Sequence, residues 1–171
     1  NNIQFLSRKV KNTIFKDKYL DIDMVNSSPI LLYNICKNNH IKTPYLEQYI
    51  KKRDKILKTL DDNRKNAKDI IISILHNSKN HGGNNFSINL ISEMEHIITF
   101  FEGIFRTFYD KHKKTFKSDN IKGSFMSKLL SNLEAMILNE IIDYIKKKDI
   151  VIGLLEFDGL KVLKNDKITE T

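Results

Sequence analysis

The chain has 171 residues, 40% of them hydrophobic, one cysteine and a formal net charge of +8. Its length fits one domain with a real core, no apolar run approaches the ~18 residues of a membrane span, and NNIQFLSRKVKNTIFKDKY lacks the apolar centre of a signal peptide, so no membrane partner is expected. A lone Cys36 can form no internal disulfide and points to a reducing, intracellular compartment (cytoplasm, nucleus or viral replication site), while the charge suits a polyanion such as nucleic acid.

The chain opens on Asn1 rather than Met, so residues 1–171 are expected to be one domain in fragment or minimal form. Ile3, Leu6, Val10 and Ile14 are spaced for a short amphipathic helix. Residues 19–25, YLDIDMV, alternate apolar residues with aspartates and read as a strand. Ser27 or Ser28 can cap a helix with Pro29 in its first turn, and Thr43-Pro44 repeats that signal for a helix to about Leu60. A further helix runs from about Asn63 to His76, and KNHGGNN at 79–85 is a loop. Ser87 opens a long helix carrying Leu90, Met94, Ile97, Phe101 and Phe105 towards Phe108, followed by a polar, basic stretch at 111–122. Gly123-Ser124 opens another long helix, with Phe125, Leu129, Leu133, Ile137, Ile141 and Ile145 on its buried side. Strands at 150–157 and 160–163, joined by Asp158-Gly159 as a hairpin turn, end the pattern. The expected class is α+β, a small antiparallel sheet packed with several long helices.

Phosphoryl transfer to a nucleotide uses two divalent cations about 3.5–4 Å apart, and Mg2+ takes one or two carboxylates plus substrate phosphates. Strand ends and hairpin tips bring two aspartates together on rigid elements. If the hairpin pairs beside the first strand, Asp23 and Asp158 converge; Asp21 and Glu156, two residues away from each, are the second-rank acids. Taken alone, Asp158-Gly159 is a turn and Asp21 with Asp23 a solvated strand face, but carboxylates that crowd one face repel unless a cation offsets them. Arg64 and Lys68 stand four apart on one helix, where a guanidinium fork and an ammonium could hold a triphosphate; the plainer reading is a solvated basic face.

The order is the most informative feature: a strand with Asp23, a helix with Arg64-x-x-x-Lys68, Gly123-Ser124 opening a helix, and a hairpin bearing Phe157-Asp158. Over residues 19–164 this resembles the A-family DNA polymerases and single-subunit phage-type RNA polymerases. It is closest to a divergent form in replication proteins of large DNA viruses and mobile elements, whose pattern is similar to DIDMVN at 21–26, Tyr49-x-x-x-Arg53, Gly123-Ser124-x-x-Ser127 and FDGL at 157–160. The resemblance implies a palm with Asp23 and Asp158 as catalytic metal ligands for Mg2+ or Mn2+, Arg64 and Lys68 on the triphosphate, Lys68 also as proton donor to the leaving group, and His76 near base and sugar. It implies nucleoside triphosphates, a template or primer, and other replication subunits or domains as partners, with basic residues from Lys111 to Lys122 on template phosphates. Phe157 stands where the family has His, and no acid follows Asp158. Ser28 replaces the Glu that excludes a 2′-hydroxyl in the DNA polymerases, which tilts the expectation to ribonucleotides, as in a primase. The competing expectations are an inactive palm that serves as a nucleic-acid-binding scaffold, and a metal-dependent nuclease.

Overall fold

The computed structural model describes residues 7–78, 83–155 and 159–164, apart from the side chains of Arg8 and Asn12. In these the order is α1 (Arg8–Phe15), β1 (Tyr19–Asp23), α2 (Ser27–Asn38), α3 (Pro44–Lys51), α4 (Arg53–Leu60), α5 (Arg64–Leu75), α6 (Asn85–Ile104), α7 (Arg106–Thr115), α8 (Ile121–Lys147), β2 (Ile152–Leu155) and β3 (Gly159–Leu163). This is the helix-rich α+β class that the sequence pattern predicts. Internal contacts divide the chain into two units, Asn1–Ser27 with Asn132–Thr171, and Ser28–Ser131.

The unit Ser28–Ser131 is helical. Its buried side chains include Leu32, Leu46, Tyr49, Leu57, Ile71, Leu90, Met94, Ile97, Phe101 and Phe125. Asparagines start three helices by accepting backbone N–H groups that a first turn leaves unpaired. Asn63 accepts from Lys65 and Asn66, Asn84 from Ser87, and Asn120 from Gly123. Thr43 precedes α3 without capping it. The Glu93 carboxylate, from α6, accepts instead from the N–H groups of Tyr45 and Leu46 at 2.9 and 2.8 Å. Burial holds the Glu93 carboxyl above its ordinary value, with those two N–H donors pulling the other way. Burial, then the charge of Glu93, pushes the Cys36 thiol up to about 12, which removes it as a nucleophile.

Two helices expected to be continuous are broken. Lys52 (φ −127°) separates α3 from α4, and Phe105 (φ −105°) separates α6 from α7. Each break re-aims the apolar stripe: Ile104 is exposed before the second one, and Tyr109 and His112 are buried after it. The stripe of α8 also departs from the expected one. Steps of four residues drift around a helix of 3.6 residues per turn, so Ile137 is exposed and Leu138 and Ile142 take the inner face.

In the other unit the strands form an antiparallel sheet in the order β1-β3-β2. One face carries Leu20, Ile22, Met24, Ile152, Leu160 and Val162, and packs on Leu138, Ile142 and Ile145 of α8 and on Ile150. Burying each such side chain contributes about 1.5–3 kcal/mol. A slip of one residue would turn Asp21 and Asp23 into that core, so the register is strongly specified. It pairs Tyr19 with Leu163, Asp21 with Lys161 and Asp23 with Gly159. The hairpin differs from the expected one. β2 ends at Leu155, and Gly159 is a strand residue rather than half of a turn; no described glycine has a positive φ. Glu156, Phe157 and Asp158 lie outside the described residues.

Candidate metal and nucleotide site

β1 alternates because its Leu20, Ile22 and Met24 are required by the core beneath, which sends Tyr19, Asp21 and Asp23 to the opposite face. Asp21 meets a cation there. Lys161 Nζ lies 2.7 Å from Asp21 Oδ2, and Lys161 is only 5% exposed. This ion pair is cross-strand, set by the same register that opposes the two residues. The aspartate repulsion expected from sequence is thus offset internally at Asp21. Phe15 and Tyr19 pack edge to face with centroids 5.1 Å apart, and Gly153 lies where any Cβ would meet the Tyr19 ring.

Asp23 sits against Gly159. A Cβ on Gly159 would lie 2.8 Å from Asp23 Oδ1 and 2.6 Å from the Ile22 carbonyl oxygen. The glycine that follows Asp158 is therefore required by the close approach of the first aspartate. Among the described residues no three His, Cys, Asp or Glu side chains form a metal cage. A pair of carboxylates completed by substrate phosphates needs none, and the hard oxygen donors on this face fit Mg2+ or Mn2+. The corner after β1 holds a further acid. Ser27 Oγ donates to Glu134 Oε1 of α8 at 2.6 Å. Glu134 brings a carboxylate beside the position of Ser28, which the sequence pattern along β1 and α2 does not show.

The expected nucleotide residues belong to the helical unit. Arg64 and Lys68 both stand on α5, whose Ala67, Ile71, Ile74 and Leu75 face the core. Arg64 Nη1 is 2.7 Å from Asp54 Oδ1, both side chains being largely exposed, and this holds the Asp54 carboxyl below its ordinary value. Such an exposed pair is a weak restraint, so a phosphate can compete for the guanidinium. Lys68 is half-buried on the same helix. His76 caps the C-terminus of α5, and its carbonyl accepts from Asn120 Nδ2 at 3.0 Å. Asn120 Oδ1 in turn accepts from Asn77 and from the N–H of Gly123. α8 begins at Ile121, two residues earlier than expected, and Gly123 serves to admit the His76 carbonyl. Ser124 bonds the buried His112 at 2.9 Å, and that ring stacks on Phe116. Within the basic stretch, Lys111, Lys113, Lys114 and Lys117 are exposed, whereas Lys122 pairs with Glu102 at 3.2 Å.

Lys161 and Glu134 were not singled out by sequence reasoning. A lysine three residues past Asp158 in a strand expected beside β1 is the one available signal for the first; Glu134 gives none.

No family model matches the chain, and no solved structure matches it significantly. It is 27% identical over 177 aligned residues to a protein of Sputnik virophage named "Putative helicase V13". The match takes in 94% of this chain and 23% of that protein, so the chain spans about a quarter of that relative's length. No described helix is long and apolar enough to cross a membrane.

Proposed function

We propose that this chain is the palm-bearing part of a template-directed nucleotidyltransferase, of polymerase or primase type, in the replication of a viral or mobile genome. The observation that carries the reading is the β1–β3 register, which sets Asp23 opposite Gly159, the residue next to Asp158 in sequence. A sheet with one face on a helix and carboxylates on the other is the platform that two-metal chemistry needs. The virophage relative, named as a helicase, supports a setting in nucleic-acid replication. The chain holds no Gly-x-x-x-x-Gly-Lys-Ser/Thr loop, so ATP-driven unwinding is not assigned to it.

In this reading Asp23 and Asp158 hold the metal ions. When bound, these would supply Lewis-acid activation of the attacking 3′-hydroxyl and charge for the pyrophosphate. β1 keeps Asp23 fixed through the core under it. Arg64 and Lys68 neutralise the triphosphate, and Lys68 donates a proton to the departing pyrophosphate. His76 is assigned to the base and sugar. The positive charge of the chain favours template phosphates in a salt-dependent manner.

Extension of a labelled primer–template with Mg2+ or Mn2+ is the test, with ribonucleotides and deoxyribonucleotides offered separately. The protein is expected to add nucleotides, and Asp23→Ala and Asp158→Ala each to abolish addition. Full extension by either variant sinks the assignment. Shortening of the labelled strand without nucleotides would make the site a nuclease, and salt-dependent binding without extension would make the chain a scaffold.

A further inference from the structure

Lys161 is a costly residue to keep. Lysine is almost never fully buried unless paired, and Lys161 is 5% exposed on the central strand β3. Replacing a buried ion pair with apolar side chains is often neutral or stabilising, so the fold alone gives no reason for a charge here. Its neighbours do. Lys161 lies opposite Asp21, and Gly159, two residues before it on the same face, lies opposite Asp23. The ammonium is therefore one strand step, about 6–7 Å of backbone, from the carboxylate assigned to the metal.

We propose that Lys161 is a built-in cation that engages Asp21, so that β1 presents Asp23 alone to the metal ions and their affinity stays moderate. This rests on the metal-site reading given above. Lys161 is a positioning residue: it touches Asp21 at 2.7 Å and acts on the metal through that carboxylate and through its own charge. Two opposing effects follow from its removal, and both strengthen binding. A positive charge near the ion disappears, and Asp21 becomes a further oxygen donor two residues from Asp23. A third carboxylate would hold the ion more tightly and off its position between the two aspartates, where product release requires exchange.

The charges predict a thermodynamic cycle. Lys161→Met should tighten binding of Mn2+, the probe ion used alone, by about tenfold. Asp21→Asn leaves Lys161 facing the site uncompensated and should weaken Mn2+ binding by about tenfold, the Coulomb effect at such a distance being of this order. The double variant removes one charge of each sign and should return close to the parent. Free Mn2+ read by its electron paramagnetic resonance signal gives each affinity without any catalytic assay. Asp23→Asn is the control for the site itself. Loss of Mn2+ binding in Asp23→Asn together with unchanged affinity in Lys161→Met and Asp21→Asn would overturn the role of Lys161 and leave the site standing. Mn2+ binding indifferent to Asp23→Asn would overturn the site and the role of Lys161 with it. Should Lys161→Met fail to fold, Asp21→Asn at its exposed position and the charge-balanced double variant decide the matter: an unweakened Asp21→Asn overturns the proposal.

Discussion

Gly159→Ala is expected to weaken the fold of the sheet-bearing unit and the metal site together. The added methyl would stand 2.6 Å from the Ile22 carbonyl oxygen and 2.8 Å from Asp23 Oδ1. The first is backbone of the paired strand β1 and cannot swing aside. The strands must part, or the Asp23 side chain must leave its position. Overpacking of this kind costs about 1–3 kcal/mol, and for a chain of this size each kcal/mol lowers the melting temperature by about 2–4 °C. Primer extension should fall far more than stability, because Asp23 is displaced in the molecules that remain folded. Calorimetry and extension assays on the same preparation separate the two effects. Wild-type activity in Gly159→Ala would show that Asp23 need not sit where it does.

The second large effect is expected at Gly123, in the helical unit. A Cβ there would lie 1.9 Å from the His76 carbonyl oxygen and 2.4 Å from Asn120 Nδ2. Both groups belong to one hydrogen-bonded knot: Asn120 donates to His76, accepts from Gly123 and accepts from Asn77. Gly123→Ala must pull the end of α5 away from the start of α8 and break that knot. The expected loss is about 3 kcal/mol, at the upper end for an inserted methyl, and so a fall of roughly 6–12 °C in melting temperature. Asn120→Ala should cost less per bond, about 0.5–1.5 kcal/mol each, without the steric term. A Gly123→Ala variant as stable as the parent would mean that the two helix ends do not meet in solution.

Much of this was legible in the sequence because it is local. Alternation in YLDIDMV fixes the strand and both of its faces, and the Asn and Ser caps mark helix starts within a residue or two. What was hidden depends on contacts between distant segments. Glu93 caps α3 from α6, so Thr43-Pro44 shows the right helix start for the wrong capping group. Gly159 looks like a turn residue because Asp-Gly is a strong turn signal, yet it is needed for what lies across the ladder. Lys161 becomes meaningful only when the register names Asp21 as its partner. Gly123 resembles a helix-opening residue and is required by a carbonyl from another helix. The candidate site follows the same division. Asp23, Arg64, Lys68 and His76 were chosen by order along the chain, whereas Lys161 and Glu134 enter through three-dimensional pairing.

The central claim is that Asp23 and Asp158 share the metal ions of nucleotidyl transfer. The most direct measurement is the electron paramagnetic resonance of Mn2+ bound with primer–template and a non-hydrolysable nucleoside triphosphate. Two ions coupled at the spacing of a two-metal site, about 3.5–4 Å, are expected in the parent, with the coupled signal lost in Asp23→Asn and in Asp158→Asn. A coupled pair that survives both substitutions would contradict it.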